Sequence, residues 1–133
     1  MGKLEHIGIA VKNLEKSNAL FAQLLGQQHY KIEEVATEGV RTSFFNVSGV
    51  KIELLEATNT DSPIAKFIEK KGEGVHHLAF AVNNIEESIK EYTQKGFSPI
   101  NSQPKAGADN KLVCFLHPKT TNGVLIELCQ EKF

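Results

Sequence analysis

The sequence has few cysteines, little net charge and no long apolar run, and each shortage excludes a class of protein. Cys114 and Cys129 are the two cysteines among 133 residues and form no CxxC pair, so neither a disulfide framework nor a zinc knuckle is expected. The formal net charge of -1 gives no electrostatic reason to expect nucleic acid or an anionic membrane as a partner. No apolar run approaches the roughly 18 residues of a membrane span. We therefore predict a soluble, cytoplasmic protein.

The second half of the sequence repeats the first. The run EHIGIAV at residues 5–11 returns as HHLAFAV at residues 76–82, so that His77 takes the place of His6. Farther along, GVKIEL at 49–54 returns as GVLIEL at 123–128, and Glu127 takes the place of Glu53. Two copies are too few for a solenoid array, so the repeat predicts a pseudo-twofold domain.

Hydrophobic patterns predict a βαβββ module in each half. Alternating apolar residues predict a strand at 4–11 and another at 75–82, and helices are expected to follow at about 14–26 and 85–95. The other predicted strands are 30–37, 40–47, 50–56, near 97–100, 112–116 and 124–129.

Proline and glycine divide the chain between the modules. Ser62-Pro63 predicts the start of a linking helix at about 62–71, and residues 101–111 are predicted to be an irregular loop over a pocket. The length suits one domain. We predict an α+β fold with a single domain at 1–133, whose two modules at about 4–57 and 75–130 have a pseudo-twofold arrangement.

Each module offers one histidine and one glutamate that could bind a metal. Period-2 alternation turns His6 and His77 away from the helix-packed side, and it places Glu53 and Glu127 opposite their aliphatic neighbours. A carboxylate among aliphatics is costly to bury unless it is paired or bound to a cation. If the two modules curl toward each other, the four side chains form a site for one divalent metal, such as cobalt, manganese, nickel or zinc. One such residue alone would more often be structural.

Several segments carry a family resemblance over essentially the whole chain. HIGIAV at 6–11 and GVLIEL at 123–128 are similar to the vicinal oxygen chelate superfamily. The narrower resemblance, to the methylmalonyl-CoA epimerase family, lies in VKIELLE at 50–56, DSPIAKF at 61–67, GVHHLAF at 74–80 and FLHPK at 115–119. The resemblance implies two βαβββ modules that form a cupped eight-stranded sheet around a metal held by His6, Glu53, His77 and Glu127.

The resemblance also implies an isomerase that interconverts (R)- and (S)-methylmalonyl-CoA, with an acyl-CoA as its partner. Loss of the α-proton needs a stabilised enolate, and a metal supplies that stabilisation. Glu127 is predicted to act as both ligand and base. Thr42 stands where some members of the family have a second glutamate base, and a threonine hydroxyl is a poor base. Glu53 or a bound water could serve instead.

The remaining polar residues receive weaker assignments. His117 and Lys119 follow a strand near the predicted pocket mouth, where a turn is the simplest role and a contact with CoA phosphate is the functional one. Thr42 joins them as a predicted substrate-binding residue. His76 faces away from His77, so packing or surface exposure is expected, and His29 is expected to be exposed.

Two other functions share this pattern. One is a glyoxalase I-type isomerase acting on a glutathione hemithioacetal, and the other is a metal-free small-molecule-binding module of the same fold. Activity with methylglyoxal and glutathione would favour the first, and the absence of bound metal would favour the second. A homodimer is expected because small domains of this type often form twofold dimers.

Overall fold

The computed structural model describes residues 2–132, which contain eight strands and three α-helices. The chain divides into two compact units, one at residues 6–76 and the other at residues 77–132 together with residues 2–5. Each unit follows the βαβββ order, which confirms the predicted α+β class. Within residues 2–132, no helix is long and apolar enough to cross a membrane.

The first unit contains most of β1 and the elements up to α2. They are β1 (Leu4–Ala10), α1 (Leu14–Leu25), β2 (Lys31–Val35), β3 (Val40–Val47), β4 (Val50–Ala57) and α2 (Pro63–Lys71). The strand order is β2-β3-β4-β1, in which β1 and β4 are parallel and the other neighbours are antiparallel. A 3₁₀ turn at Ala36–Glu38 makes β2 shorter than predicted.

The second unit contains most of β5 and the elements that follow it. They are β5 (Gly74–Ala81), α3 (Ile85–Gln94), β6 (Lys105–Gly107), β7 (Lys111–Leu116) and β8 (Ile126–Glu131). The strand order is β5-β8-β7-β6, in which β5 and β8 are parallel and the other neighbours are antiparallel.

The prediction of a strand near residues 97–100 is wrong. Only an isolated bridge between Pro99 and Leu116 forms there, and proline has no N–H to donate to a longer ladder. The missing strand is β6, which lies inside the segment 101–111 that was predicted to be irregular. The second βαβββ module is therefore complete, but its third element starts later than predicted.

Each packing helix covers the aliphatic face of its own module. Leu14 of α1 packs with Phe45 and Leu54, and Ile52 adds to this cluster. In the second unit, α3 packs against Leu128, with Ile126 beside it. The predicted strand phase is therefore confirmed in β4 and β8, because the aliphatic neighbours of Glu53 and Glu127 face the helices.

Helix α1 buries less than its sequence suggests. Phe21 and Leu25 lie in the cluster, but Leu20 is 61% exposed and Leu24 is 71% exposed. The four residues span more of the helix circumference than one packing face covers. Leu20 and Leu24 therefore form an exposed apolar pair, one turn apart.

Helix α2 packs on the opposite face of the first unit from α1. Ile64 of α2 contacts Ala10 and Leu55, and Phe67 joins the same cluster. Ala10 lies four residues after His6 on β1, and Leu55 lies two residues after Glu53 on β4. Each therefore points to the same face as the predicted ligand on its strand. The face that carries the predicted ligands is thus covered at one end by a helix.

Candidate metal and active site

The first unit holds a buried histidine and glutamate pair. His6 on β1 is 5% exposed and Glu53 on β4 is 4% exposed. His6 Nδ1 lies 3.2 Å from Glu53 Oε2. In the parallel register Gly8 is opposite Glu53, and because glycine has no side chain, the imidazole and carboxylate can meet on this face.

The second unit repeats this pair. His77 on β5 and Glu127 on β8 are each 5% exposed, and His77 Nε2 lies 3.2 Å from Glu127 Oε1. Ala79 stands opposite Glu127 in the parallel register, in the place that Gly8 takes in the first unit. The structure therefore brings together one predicted histidine and one predicted glutamate in each unit.

His76 lies in a different environment from His77. The His76 ring meets the Phe67 ring edge to face, with their centroids 4.9 Å apart. The predicted packing role of His76 is therefore confirmed. The strand phase predicted for β5 is correct, because His77 and not His76 reaches Glu127 on β8, and one residue of slippage would exchange the two histidines.

A phenylalanine stands opposite each predicted glutamate ligand. Phe44 is paired with Glu53 in the β3–β4 ladder, and Phe115 is paired with Glu127 in the β7–β8 ladder. The Phe115 ring also meets the imidazole of His77 edge to face, with centroids 5.6 Å apart. Each buried glutamate therefore has an aromatic residue beside it on the neighbouring strand, a placement that was not predicted although Phe44 and Phe115 occupy equivalent positions in the repeat.

Each of these phenylalanines has a lysine above its ring. Lys31 Nζ lies 4.6 Å from the Phe44 ring centroid, and Lys105 Nζ lies 5.9 Å from the Phe115 ring centroid. Both distances fall in the range of cation–π attraction. In each unit the lysine lies on one neighbour of the strand that carries the phenylalanine, and the glutamate lies on the other neighbour.

The two pairs have the donor chemistry of a metal site. Imidazole nitrogen and carboxylate oxygen suit first-row divalent metals. Bonds of about 2.0–2.2 Å to such a metal place adjacent ligand atoms roughly 3 Å apart, which matches the nitrogen to oxygen separation of 3.2 Å in each pair. The donors and their spacing therefore fit a divalent ion.

Thr42 is fully buried on β3, where it is 1% exposed. It lies two residues before Phe44 and shares its face, so it belongs to the face that also carries Glu53. The predicted contact between Thr42 and substrate stays a prediction.

His117 has a local structural role. Its Nδ1 accepts a hydrogen bond from the Lys119 backbone N–H at 3.1 Å, which caps the 3₁₀ turn Pro118–Thr120. Both His117 and Lys119 are exposed. The turn role is therefore present, and the CoA role of the two side chains is a separate proposal.

The cysteines do not supply a nucleophile. Both Cys114 and Cys129 are buried, and neither forms a disulfide within residues 2–132. Burial raises the pKa of the Cys114 thiol above its usual value, so the thiol stays protonated at neutral pH. His29 differs from the prediction, because it is half-buried with its ring edge against Phe45.

Comparison with known proteins identifies the family. A family model described as the glyoxalase/bleomycin resistance protein/dioxygenase superfamily matches residues 5–115. The human mitochondrial methylmalonyl-CoA epimerase is 40% identical over 131 residues, which are 98% of this chain and 74% of the relative. The chain belongs to the methylmalonyl-CoA epimerase family. The predicted resemblance is confirmed, and so is the prediction of an isomerase.

Two further relatives cover almost the whole chain. The ethylmalonyl-CoA/methylmalonyl-CoA epimerase of Cereibacter sphaeroides is 38% identical over 132 residues, covering 98% of this chain and 98% of the relative. A solved structure of a Streptomyces coelicolor methylmalonyl-CoA epimerase variant in complex with 2-nitronate-propionyl-CoA is 31% identical. That match covers 98% of this chain and 95% of the other, with a TM-score of 0.92. The fold of this protein is therefore that of the family.

Proposed function

We propose that this protein interconverts the (R) and (S) epimers of methylmalonyl-CoA. The observation that carries the proposal is the duplicated buried pair, His6 with Glu53 and His77 with Glu127, in a chain of this family. Both carboxylates sit mid-strand, where burial is costly without a chemical purpose or a cation. The relatives are named as epimerases of malonyl-type CoA thioesters, which indicates the substrate class.

The proposed metal ligands are the four residues of the two pairs. A divalent ion held by His6, Glu53, His77 and Glu127 would supply positive charge beside the thioester and carboxylate oxygens of the substrate, which lowers the free energy of the enolate. The metal is proposed to be cobalt, manganese, nickel or zinc, because all four accept mixed imidazole and carboxylate ligands.

Glu127 is the proposed base. Its carboxylate takes the α-proton, and the electron pair of the C–H bond moves into the thioester carbonyl to form the enolate. A proton returned to the opposite face of the α-carbon completes the inversion, and the proposed donor is a water molecule or Glu53 in its protonated form. Phe115 lies against His77 and opposite Glu127, so it limits the access of bulk water to this carboxylate.

The CoA portion is proposed to lie near the turn after β7. Lys119 is exposed there, and its ammonium can pair with a phosphate as a point charge. His117 presents its Nε2 on the same turn, since its Nδ1 is used in the cap. The acyl-CoA ester is thus proposed to extend from the carboxylate pairs toward this turn.

Isotope exchange tests the proposal directly. One epimer of methylmalonyl-CoA is incubated with the protein in deuterated water with cobalt or manganese, and incorporation at the α-carbon is followed by mass spectrometry. We expect rapid exchange and formation of the other epimer. Exchange that is absent at full metal occupancy would reject the proposed function.

A matched pair of variants tests the role of Glu127. Glu127→Gln keeps the size of the side chain and removes its basicity, so we expect a loss of about 10²- to 10⁴-fold in kcat. Glu131→Gln on the same strand changes an exposed carboxylate and is expected to leave kcat within about twofold, as for surface substitutions away from the site. Equal losses in both variants would contradict the assignment.

The name of the Cereibacter sphaeroides relative also suggests ethylmalonyl-CoA as a substrate. The two esters differ by one methylene group, which in an apolar pocket changes kcat/KM by about 10- to 200-fold at most. Measurement of kcat/KM for both esters decides the preference. A homodimer and a cytoplasmic location are proposed as well, and light scattering of the purified protein tests the dimer.

A further inference from the structure

The Thr42 hydroxyl is a buried polar group that lacks a hydrogen-bond partner. The Thr42 side chain is 1% exposed, and within residues 2–132 no donor or acceptor pairs with its Oγ1. Buried hydroxyls are nearly always hydrogen-bonded, because an unsatisfied one gives up water without compensation. Valine has almost the same shape and would avoid this cost, so the hydroxyl calls for a partner that is absent from the polypeptide.

The strand register places this hydroxyl on the face of the first pair. Thr42 lies opposite Leu55 in the β3–β4 ladder, and the next residue pair on the same face is Phe44 with Glu53. Residues two apart on paired strands are diagonal neighbours at about 7–8 Å, a separation that one bound oxygen-bearing group can span. Thr42 is therefore a diagonal neighbour of the carboxylate that pairs with His6.

Neighbouring Ser43 shows that a buried hydroxyl on β3 can be satisfied by the protein itself. Ser43 is 0% exposed and points to the opposite face, where its Oγ lies 2.5 Å from Asn18 Oδ1 and donates to it. The two adjacent hydroxyls thus differ in their hydrogen bonding. Ser43, on the face that α1 covers, has a protein partner, whereas Thr42, on the face that carries Glu53, has none within residues 2–132.

We infer that Thr42 is a substrate-positioning residue whose hydroxyl donates a hydrogen bond to an oxygen of the malonyl group, either the thioester or the carboxylate oxygen. This inference rests on the proposed function. Negative charge grows on these oxygens as the α-proton leaves, so the hydrogen bond strengthens in the transition state. Thr42 does not take the proton, because a hydroxyl of ordinary pKa stays protonated at neutral pH.

The test compares Thr42→Val, Thr42→Ser and Ser43→Ala by steady-state epimerisation of methylmalonyl-CoA and by thermal melting. Thr42→Val should lower kcat and kcat/KM together by about 10- to 100-fold, as loss of a hydrogen bond made in the transition state does. The same variant should melt at or above the wild-type temperature, since it replaces an unsatisfied hydroxyl with a methyl group. Thr42→Ser keeps the hydroxyl and should retain kcat within about threefold.

Ser43→Ala is the matched control and should give the reverse result. It leaves Asn18 without its buried partner, so the melting temperature should fall while kcat stays near the wild-type value. If Thr42→Val keeps wild-type kcat, or if its loss of activity follows a lower melting temperature, the inference is overturned. Wild-type protein that shows no exchange with methylmalonyl-CoA would instead reject the proposed function, and the two failures are therefore distinguishable.

Discussion

The adjacent histidines of β5 allow a sharp test of the metal proposal. His77→Ala removes an imidazole that lies 3.2 Å from Glu127, whereas His76→Ala removes one that packs on Phe67. The two substitutions delete the same group at neighbouring positions on opposite faces of one strand. We expect only the first to impair metal binding.

The expected change in Tm follows from the coupling between metal binding and folding. A metal present at 100 times its Kd stabilises the folded protein by about 2.7 kcal/mol, which raises the Tm of a domain of this size by roughly 8–13 °C. Substitution of a residue that holds a metal ligand in place commonly weakens metal affinity by about 10- to 100-fold. Loss of the ligand itself should therefore weaken the affinity by at least about 100-fold. At the same metal concentration the stabilisation in His77→Ala then falls to about 0.4 kcal/mol, or roughly 1–2 °C.

The assay measures the difference in Tm with and without cobalt or manganese, together with the metal content after gel filtration. The difference is preferred to the absolute Tm because both substitutions lower stability without metal. His76→Ala loses an edge-to-face contact worth about 1 kcal/mol, and it should keep the full metal-induced shift. A shift that is lost in His76→Ala and kept in His77→Ala would refute the assignment of faces.

Three further outcomes are expected. Ser62→Ala removes the side-chain acceptor that caps α2 and should lower the free energy of unfolding by about 1 kcal/mol, which chemical denaturation measures. Gly39→Ala should lower the free energy of unfolding more than Gly49→Ala. Both glycines have positive φ, but only at Gly39 would the added Cβ lie within 3.1 Å of neighbouring side chains. Equal losses of stability would contradict this prediction. Cys114 should react slowly with a thiol reagent at pH 7.5 in the folded protein, since burial keeps its pKa raised, and rapid labelling without unfolding would count against the burial.

The histidine and glutamate pairs could be predicted in part from the sequence. The repeat equated His6 with His77 and Glu53 with Glu127, and strand alternation placed each on the face away from the packing helix. The pairing distances could not be predicted, because they depend on the register of parallel strands that are far apart in the chain.

Local chemistry misled the prediction at β6. The segment 97–100 follows a helix and is apolar enough to suggest a strand, but Pro99 cannot donate to a ladder and only a bridge forms. The three residues Lys105–Gly107 pair with the edge of β7 that β8 does not occupy. That edge exists only once the second unit has folded. Short edge strands carry too few residues for periodicity to reveal them.

The sequence by itself determined the two-module plan, the linking helix and the family, because repeats, caps and segment patterns are local properties of the chain. Tertiary structure alone decided which polar groups were buried together and which were left without a partner. The meeting of His77 with Glu127 and the orphan hydroxyl of Thr42 both depend on neighbours from other strands. Burial is a property of the packed molecule, and no spacing along the chain encodes it directly.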